Sequence, residues 1–283
     1  MILSAVPDEL KCRRRREIYM DLKVYAFTCG WLTVPAALLL EGEAGSLTVP
    51  VPVYLIEHPK GCALFDTGLH VDTQTDADRR LGRLAPFHTV DFSPGEEISS
   101  RLRGIDVAPE RIEYVINSHL HFDHCGGNEQ LPNTTLLVQR LEWDAAHDAD
   151  LIERVYYDPN DYDHGHRVRT VDGEHDVFGD GSVVCIPTPG HTPGHQSLRV
   201  RIGREDVVLA GDACYLRRTL DDLHLPTVSY DREQMLASLR RLRALRDEGT
   251  MIVTGHDPEM WATIPQAPDL LTIAGGSAER SRS

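Results

Sequence analysis

Between His119 and His124 the chain places three imidazoles and a carboxylate in six positions: His119, His121, Asp123 and His124. The apolar run Tyr114, Val115, Ile116 leads straight into them. A strand ending in such a cluster delivers several donors to one point from a rigid base. Neutral imidazole and carboxylate suit Zn²⁺ or a neighbouring first-row metal, and no thiol ligand is needed. His119 and His121 stand two apart, so on an extended segment they point the same way. Asp123 and His124 follow where the chain must turn, before Gly126 and Gly127. One segment can therefore feed two adjacent metal positions, His119 and His121 one, Asp123 and His124 the other. Neither pair fills a tetrahedral shell, so more ligands must come from elsewhere.

They appear downstream, each just after an apolar, strand-like run. Val183 to Ile186 leads through Pro187, Thr188, Pro189 and Gly190 to His191. Val207 to Gly211 leads to Asp212, and Met251 to Gly255 leads to His256. Four strands thus end in metal-ligand types, where sheet-based enzymes place their sites.

HxHxDH followed by TPGH, GD and GH resembles the metallo-β-lactamase superfamily, from about Leu22 to about Trp261. A narrower likeness, to the N-acyl-homoserine lactonases, lies in Ser118 to His124, Thr188 to Leu198 and Asp212 to Tyr215. The tyrosine three residues after the aspartate is its most discriminating feature. The resemblance implies an α/β fold, the αβ/βα four-layer sandwich of two central mixed β-sheets flanked by helices. It implies two Zn²⁺ per chain, with other divalent first-row metals also compatible. One ion falls to His119, His121 and His191, the other to Asp123, His124 and His256, and Asp212 bridges them. In such a site an activated water opens a lactone ring, the quorum-quenching reaction. Tyr215 then donates to the developing oxyanion and Asp123 returns a proton to the ring alkoxide. Phe122, Phe87 and Trp31 are the expected substrate contacts, with Phe92 and Leu32 beside them.

The runner-up is another small-lactone hydrolase, similar to 4-pyridoxolactonase. A glyoxalase II type thioesterase shares the metal loop, but no basic glutathione-binding cluster stands near the C-terminus. Metallo-β-lactamases proper usually replace the bridging aspartate by cysteine. Histidines alone do not separate hydrolases from diiron relatives.

Composition narrows the partners. At 283 residues and 41% hydrophobic, the chain is long enough to bury a proper core. A formal net charge of −15 argues against nucleic acid. Six scattered cysteines without CxxC spacing point to reduced thiols and a cytoplasmic enzyme. The longest apolar run, Val34 to Leu40, is far too short for a membrane span. The expected partner is a small lactone, with no nucleic acid and no membrane, for a monomer or homodimer. Residues 1–19 read as a disordered extension and 20–283 as one hydrolase domain, with Met20 a candidate start.

The elements follow in order. Leu22 to Phe27 reads as a strand, and Val51 to Ile56 pairs with Cys62 to Phe65 across Pro59, Lys60 and Gly61. Asp66 then either orients a ligand imidazole or caps its own turn. Residues 70–92 read as an irregular loop over the site. Ser93 to Glu96 reads as a capping box, opening a helix with Ile98, Leu102 and Ile105 buried. Thr134 to Val138 is a strand and Arg140 to His147 a short helix. The HxH pair His164 and His166 is assigned to the surface. Ser197 to Ile202 and Val207 to Ala210 form a hairpin, and Asp231 caps an amphipathic helix through Met235, Leu239, Leu242 and Leu245. His195 is given a supporting role, Cys125 and Cys214 are read as packed thiols, and Phe122 faces either substrate or core.

Overall fold

The structure is a computed structural model and describes residues 22–272. The expectation for residues 1–19 falls outside that range. The strands are β1 (Lys23–Pro35), β2 (Ser46–His58), β3 (Gly61–Phe65), β4 (Thr89–Asp91), β5 (Ile112–Ile116) and β6 (Thr135–Gln139). They continue with β7 (Arg167–Val171), β8 (His175–Asp176), β9 (Val183–Pro187), β10 (Gln196–Ile202), β11 (Glu205–Leu209) and β12 (Met251–Val253). Seven form a mixed sheet in the order β4-β1-β2-β3-β5-β6-β7, and five form a second in the order β12-β11-β10-β9-β8.

Alternation explains why the central strands read as nearly continuous apolar runs: both faces of each sheet are covered. In β9, Val183 and Cys185 face the other sheet, meeting Tyr54, Phe65, Ile116 and Leu137 in the inner core. Ile186 of the same strand faces outward, with Val208 and Ile252, under Leu239 and Leu242 of the helix Arg232–Asp247. Across the molecule, Leu55, Leu64, Val115 and Leu136 are covered by Ile98 and Leu102 of the helix Ile98–Arg103. The result is helix, sheet, sheet, helix: the four-layer sandwich of the metallo-β-lactamase type.

Chain direction brings the ligand types to one edge. Strands β3, β5 and β6 run parallel. In the second sheet β9 and β11 are both antiparallel to β10, and β12 is parallel to β11, so all three point the same way. The carboxyl ends of β3, β5, β9, β11 and β12 lead to Asp66, the His119 stretch, His191, Asp212 and His256, the edge where open α/β sheets bind ligands.

Several boundaries differ from expectation. The first strand runs on to Pro35, through a register shift between Thr28 and Trp31. Residues 70–92 are not an irregular loop: they hold a helix Thr73–Leu81, a 3₁₀ turn Gly82–Phe87 and strand β4. Non-helical backbone at Asp76 (φ −151°, ψ 75°) breaks that helix, which blurs the apolar period. The Ser93–Glu96 pairing exists, with Ser93 N–H donating to the Glu96 carboxylate at 2.8 Å. It closes a turn rather than opening the helix, because Gly95 takes φ +97° and the helix starts at Ile98. Asp231 does cap its helix, accepting from Gln234 N–H at 3.0 Å.

Candidate metal centre

Three imidazole nitrogens meet at one point. His119 Nε2, His121 Nδ1 and His191 Nε2 are separated by 2.9, 3.0 and 3.1 Å. A tetrahedral Zn²⁺ with nitrogens at 2.0–2.1 Å would space them about 3.3 Å apart. The outward nitrogens show that the His119–His121 contact is not an ordinary hydrogen bond. His121 Nε2 lies 2.7 Å from the Val155 carbonyl, which can only accept, so Nε2 carries the proton and Nδ1 a lone pair. Ser118 Oγ donates to Asp66 at 2.9 Å and so accepts from His119 Nδ1–H at 3.0 Å, leaving His119 Nε2 bare. Lone pairs crowded together in this way call for a cation between them. Burial, with imidazole neighbours, holds His119 and His191 well below the usual histidine range despite the Asp212 carboxylate.

A second group adjoins the first. His124 Nε2 lies 3.5 Å and His256 Nε2 3.6 Å from Asp123 Oδ2. Asp212 stands between the groups. Its Oδ2 is 3.4 Å from His191 Nε2 and 3.8 Å from His119 Nε2, while Oδ1 is 3.2 Å from His124 Nε2 and 3.0 Å from His256 Nε2. His124 Nε2 and Asp212 Oδ1 are buried without a hydrogen-bond partner among the described residues. Burial alone would lower His124 and His256; the Asp212 and Asp123 carboxylates outweigh it and raise both. A divalent ion would counter the same two carboxylates. The donor set therefore fits one ion in each group, with Asp212 offering an oxygen to both.

The surroundings aim these groups. Asp66, at φ 61°, accepts from Ser118 N–H at 2.6 Å and from His124 Nδ1–H at 2.9 Å. Of the two roles open to it, imidazole orientation is the one seen. The Pro50 carbonyl in β2 takes His256 Nδ1–H at 2.8 Å. His195 accepts from Asp212 N–H at 3.0 Å through Nε2, so its Nδ1–H donates to Thr188 Oγ1 at 2.9 Å. Burial pushes its pKa down to about 3, which keeps that nitrogen an acceptor. Cys125 and Cys214 are buried, and burial drives both thiols upward, away from the thiolate. His164 is exposed and His166 half-buried, its Nε2 3.1 Å from the Leu131 carbonyl.

Above the metal groups opens a cavity of about 290 Å³. His121, Asp123, His191, Asp212, Tyr215 and His256 line its polar end. Its walls are Leu32, Val34, Leu38, Leu39, Val49, Leu84, Phe87, Phe122, Tyr156 and Val228, with His88 beside Phe122. Tyr215 is buried, its hydroxyl 2.9 Å from His191 Nδ1. Burial and the Asp212 and Asp123 carboxylates raise the phenol well above its usual range, so it stays a neutral donor at pH 7. Phe87 is 51% exposed at the mouth. Trp31 is the exception among the expected contacts. Leu32 and Val34 take the cavity side of β1, and Trp31 packs against the core between the sheets. Phe92 is buried beside the cavity wall rather than lining it. Sequence reading missed His88, Leu38, Leu39 and Val228, which carry no motif, and the buried Glu142.

The pattern of the metallo-beta-lactamase superfamily matches residues 47–256. An N-acyl homoserine lactonase of Azorhizobium caulinodans, AttM, is 32% identical over 257 residues, covering 88% of this chain and 98% of its own. An N-acyl homoserine lactonase of Bacillus cereus is 32% identical over 220 residues, covering 75% of this chain and 83% of its own. Among solved structures, an N-acyl homoserine lactone hydrolase with N-hexanoyl-L-homoserine at its catalytic metal centre superposes with a TM-score of 0.79. It is 28% identical, covering 88% of this chain and 98% of that one. With fold, donor set and matched residues in agreement, the chain belongs to the metallo-beta-lactamase superfamily, among its N-acyl homoserine lactonases.

Proposed function

We propose that this protein is a two-metal hydrolase that opens the ring of N-acyl homoserine lactones. The observation that carries the reading is a seven-donor, two-group site at the polar end of an otherwise apolar cavity. Two divalent ions held there, Zn²⁺ by the preference of such donors, would supply Lewis acidity and a water deprotonated near neutral pH. The chain's own residues do the rest. His119, His121 and His191 form one ligand group, Asp123, His124 and His256 the other, and Asp212 is common to both. When His191 turns its Nε2 lone pair inward, its Nδ1–H donates to the Tyr215 oxygen. The phenolic proton is then free to point into the cavity, toward an oxyanion. Asp123, on the cavity wall, would take the proton that the attacking water gives up and pass it to the alkoxide released by ring opening. Leu32, Val34, Val49, Phe87 and Phe122 offer an acyl tail an apolar wall.

The reading takes the enzyme to be cytoplasmic, a monomer or homodimer, and one domain over residues 20–283, with no nucleic-acid or membrane partner. Among the described residues no helix is long and apolar enough to cross a membrane. A substrate panel tests the function. Acyl-homoserine lactones should open faster than unsubstituted γ-butyrolactone, giving a product heavier by one water and releasing acid. Each buried methylene contributes roughly 0.8 kcal/mol, so two more should raise kcat/KM by about tenfold until the wall ends. Free fatty acid as product would mean amide cleavage and overturn the reading. A response flat in tail length, with faster turnover of a tail-less aromatic lactone, would favour a hydrolase similar to 4-pyridoxolactonase.

A further inference from the structure

The helix Arg140–Ala145 supplies no candidate ligand. Its Glu142 is nevertheless 1% exposed and reaches both loops that carry the first ligand group. One carboxylate oxygen, Oε1, accepts from Leu120 N–H at 3.0 Å and from Tyr157 O–H at 2.8 Å. The other, Oε2, accepts from Thr192 Oγ1–H at 2.7 Å and from Gly194 N–H at 2.9 Å. An ionised carboxylate has about four lone-pair sites, and four donors fill them.

The partners lie beside the ligands. Leu120 stands between His119 and His121, and Thr192 follows His191. Tyr157 packs its ring 5.6 Å from that of His121, two residues beyond the carbonyl that fixes His121 Nε2. The backbone is equally close. A Cβ at Gly194 would stand 2.1 Å from the Glu142 nitrogen, so only glycine lets the two segments meet. The second group has other supports: His124 leans on Asp66 and His256 on Pro50. A buried carboxylate is costly, and here four donors offset that cost; an apolar side chain in its place would leave all four unpaired.

We infer that Glu142 is the positioning residue of the first metal site, tying the His119–His121 segment to the His191 loop so that their three nitrogens converge. The inference rests on the two-metal reading and adds that Glu142, unlike Asp66, which reaches His124 directly and His119 through Ser118, supports the first site alone. In Glu142→Gln an amide NH₂ would face donors where a carboxylate oxygen now accepts. One ion should then weaken by about 10- to 100-fold, as for other groups that orient metal ligands. The other ion should keep wild-type affinity.

The test is chelator competition on the full-length Zn²⁺-loaded protein, with metal per chain as the readout. Glu142→Gln should release one ion at a chelator level where the wild type keeps two. His256→Ala alone should retain the first-site ion at that level, and Glu142→Gln combined with His256→Ala should hold none. Should Glu142→Gln fail to fold, Thr192→Val removes one donor at nearly constant shape and should weaken the same ion less. Equal weakening of both ions, as from a general loss of stability, or no weakening of either, would overturn the inference. A wild type that binds only one ion would instead overturn the two-metal reading beneath it.

Discussion

Asp212→Ala is expected to leave the protein folded but nearly inactive, with fewer than two metal ions per chain. Its carboxylate is the group shared by the two ligand sets, Oδ2 toward His119 and His191, Oδ1 toward His124 and His256. Alanine removes a donor from each set and one of the two negative charges that would balance the ions. If bound ions contribute about 4 kcal/mol of transition-state stabilisation, their loss costs on the order of 10³ in rate. His256→Ala is the milder companion: it touches one set, so metal analysis should fall from two ions per chain to one. Elemental analysis and initial rates on the same samples decide the matter. An Asp212→Ala protein with two ions and less than a tenfold loss would show that the carboxylate is not shared.

Tyr215→Phe should lower kcat and leave metal content unchanged. The hydroxyl lies 2.9 Å from His191 Nδ1, whereas it is His191 Nε2 that faces the other imidazoles of its group. Removing one oxyanion donor typically costs about 10²–10³ in rate. Here the developing charge is shared between the phenol and the bound ions, so a loss on the order of 10- to 100-fold is expected. The packing of Tyr215 against His256 and the cavity wall survives in phenylalanine. KM should therefore move less than kcat. Wild-type kinetics in the variant would return Tyr215 to a packing role.

How much of this was legible in the sequence follows from distance along the chain. His119, His121, Asp123 and His124 advertise themselves because their spacing is local, and His191, Asp212 and His256 because each closes an apolar strand. What holds them in place was mostly illegible. Pro50 contributes a carbonyl, which leaves no side-chain signal, to an imidazole 206 residues away. Glu142 looks like any helix glutamate until the fold brings it to partners 22 and 50 residues distant. Trp31 shows a different limit. Period-two alternation tells which residues share a face only while the register holds, and the shift between Thr28 and Trp31 comes just before the residues in question. In the Thr73–Leu81 helix the break at Asp76 hid the period.

The order of the ligands along the chain gives the two sites different histories during synthesis. His119, His121 and His191 are all present once β9 has left the ribosome and the next few residues have followed. The second group has Asp123 and His124 just as early, yet lacks His256 until β12 is made, and Asp212 arrives between the two events. The first trio of histidines is thus complete in a chain that still lacks β12, whereas the second group is not.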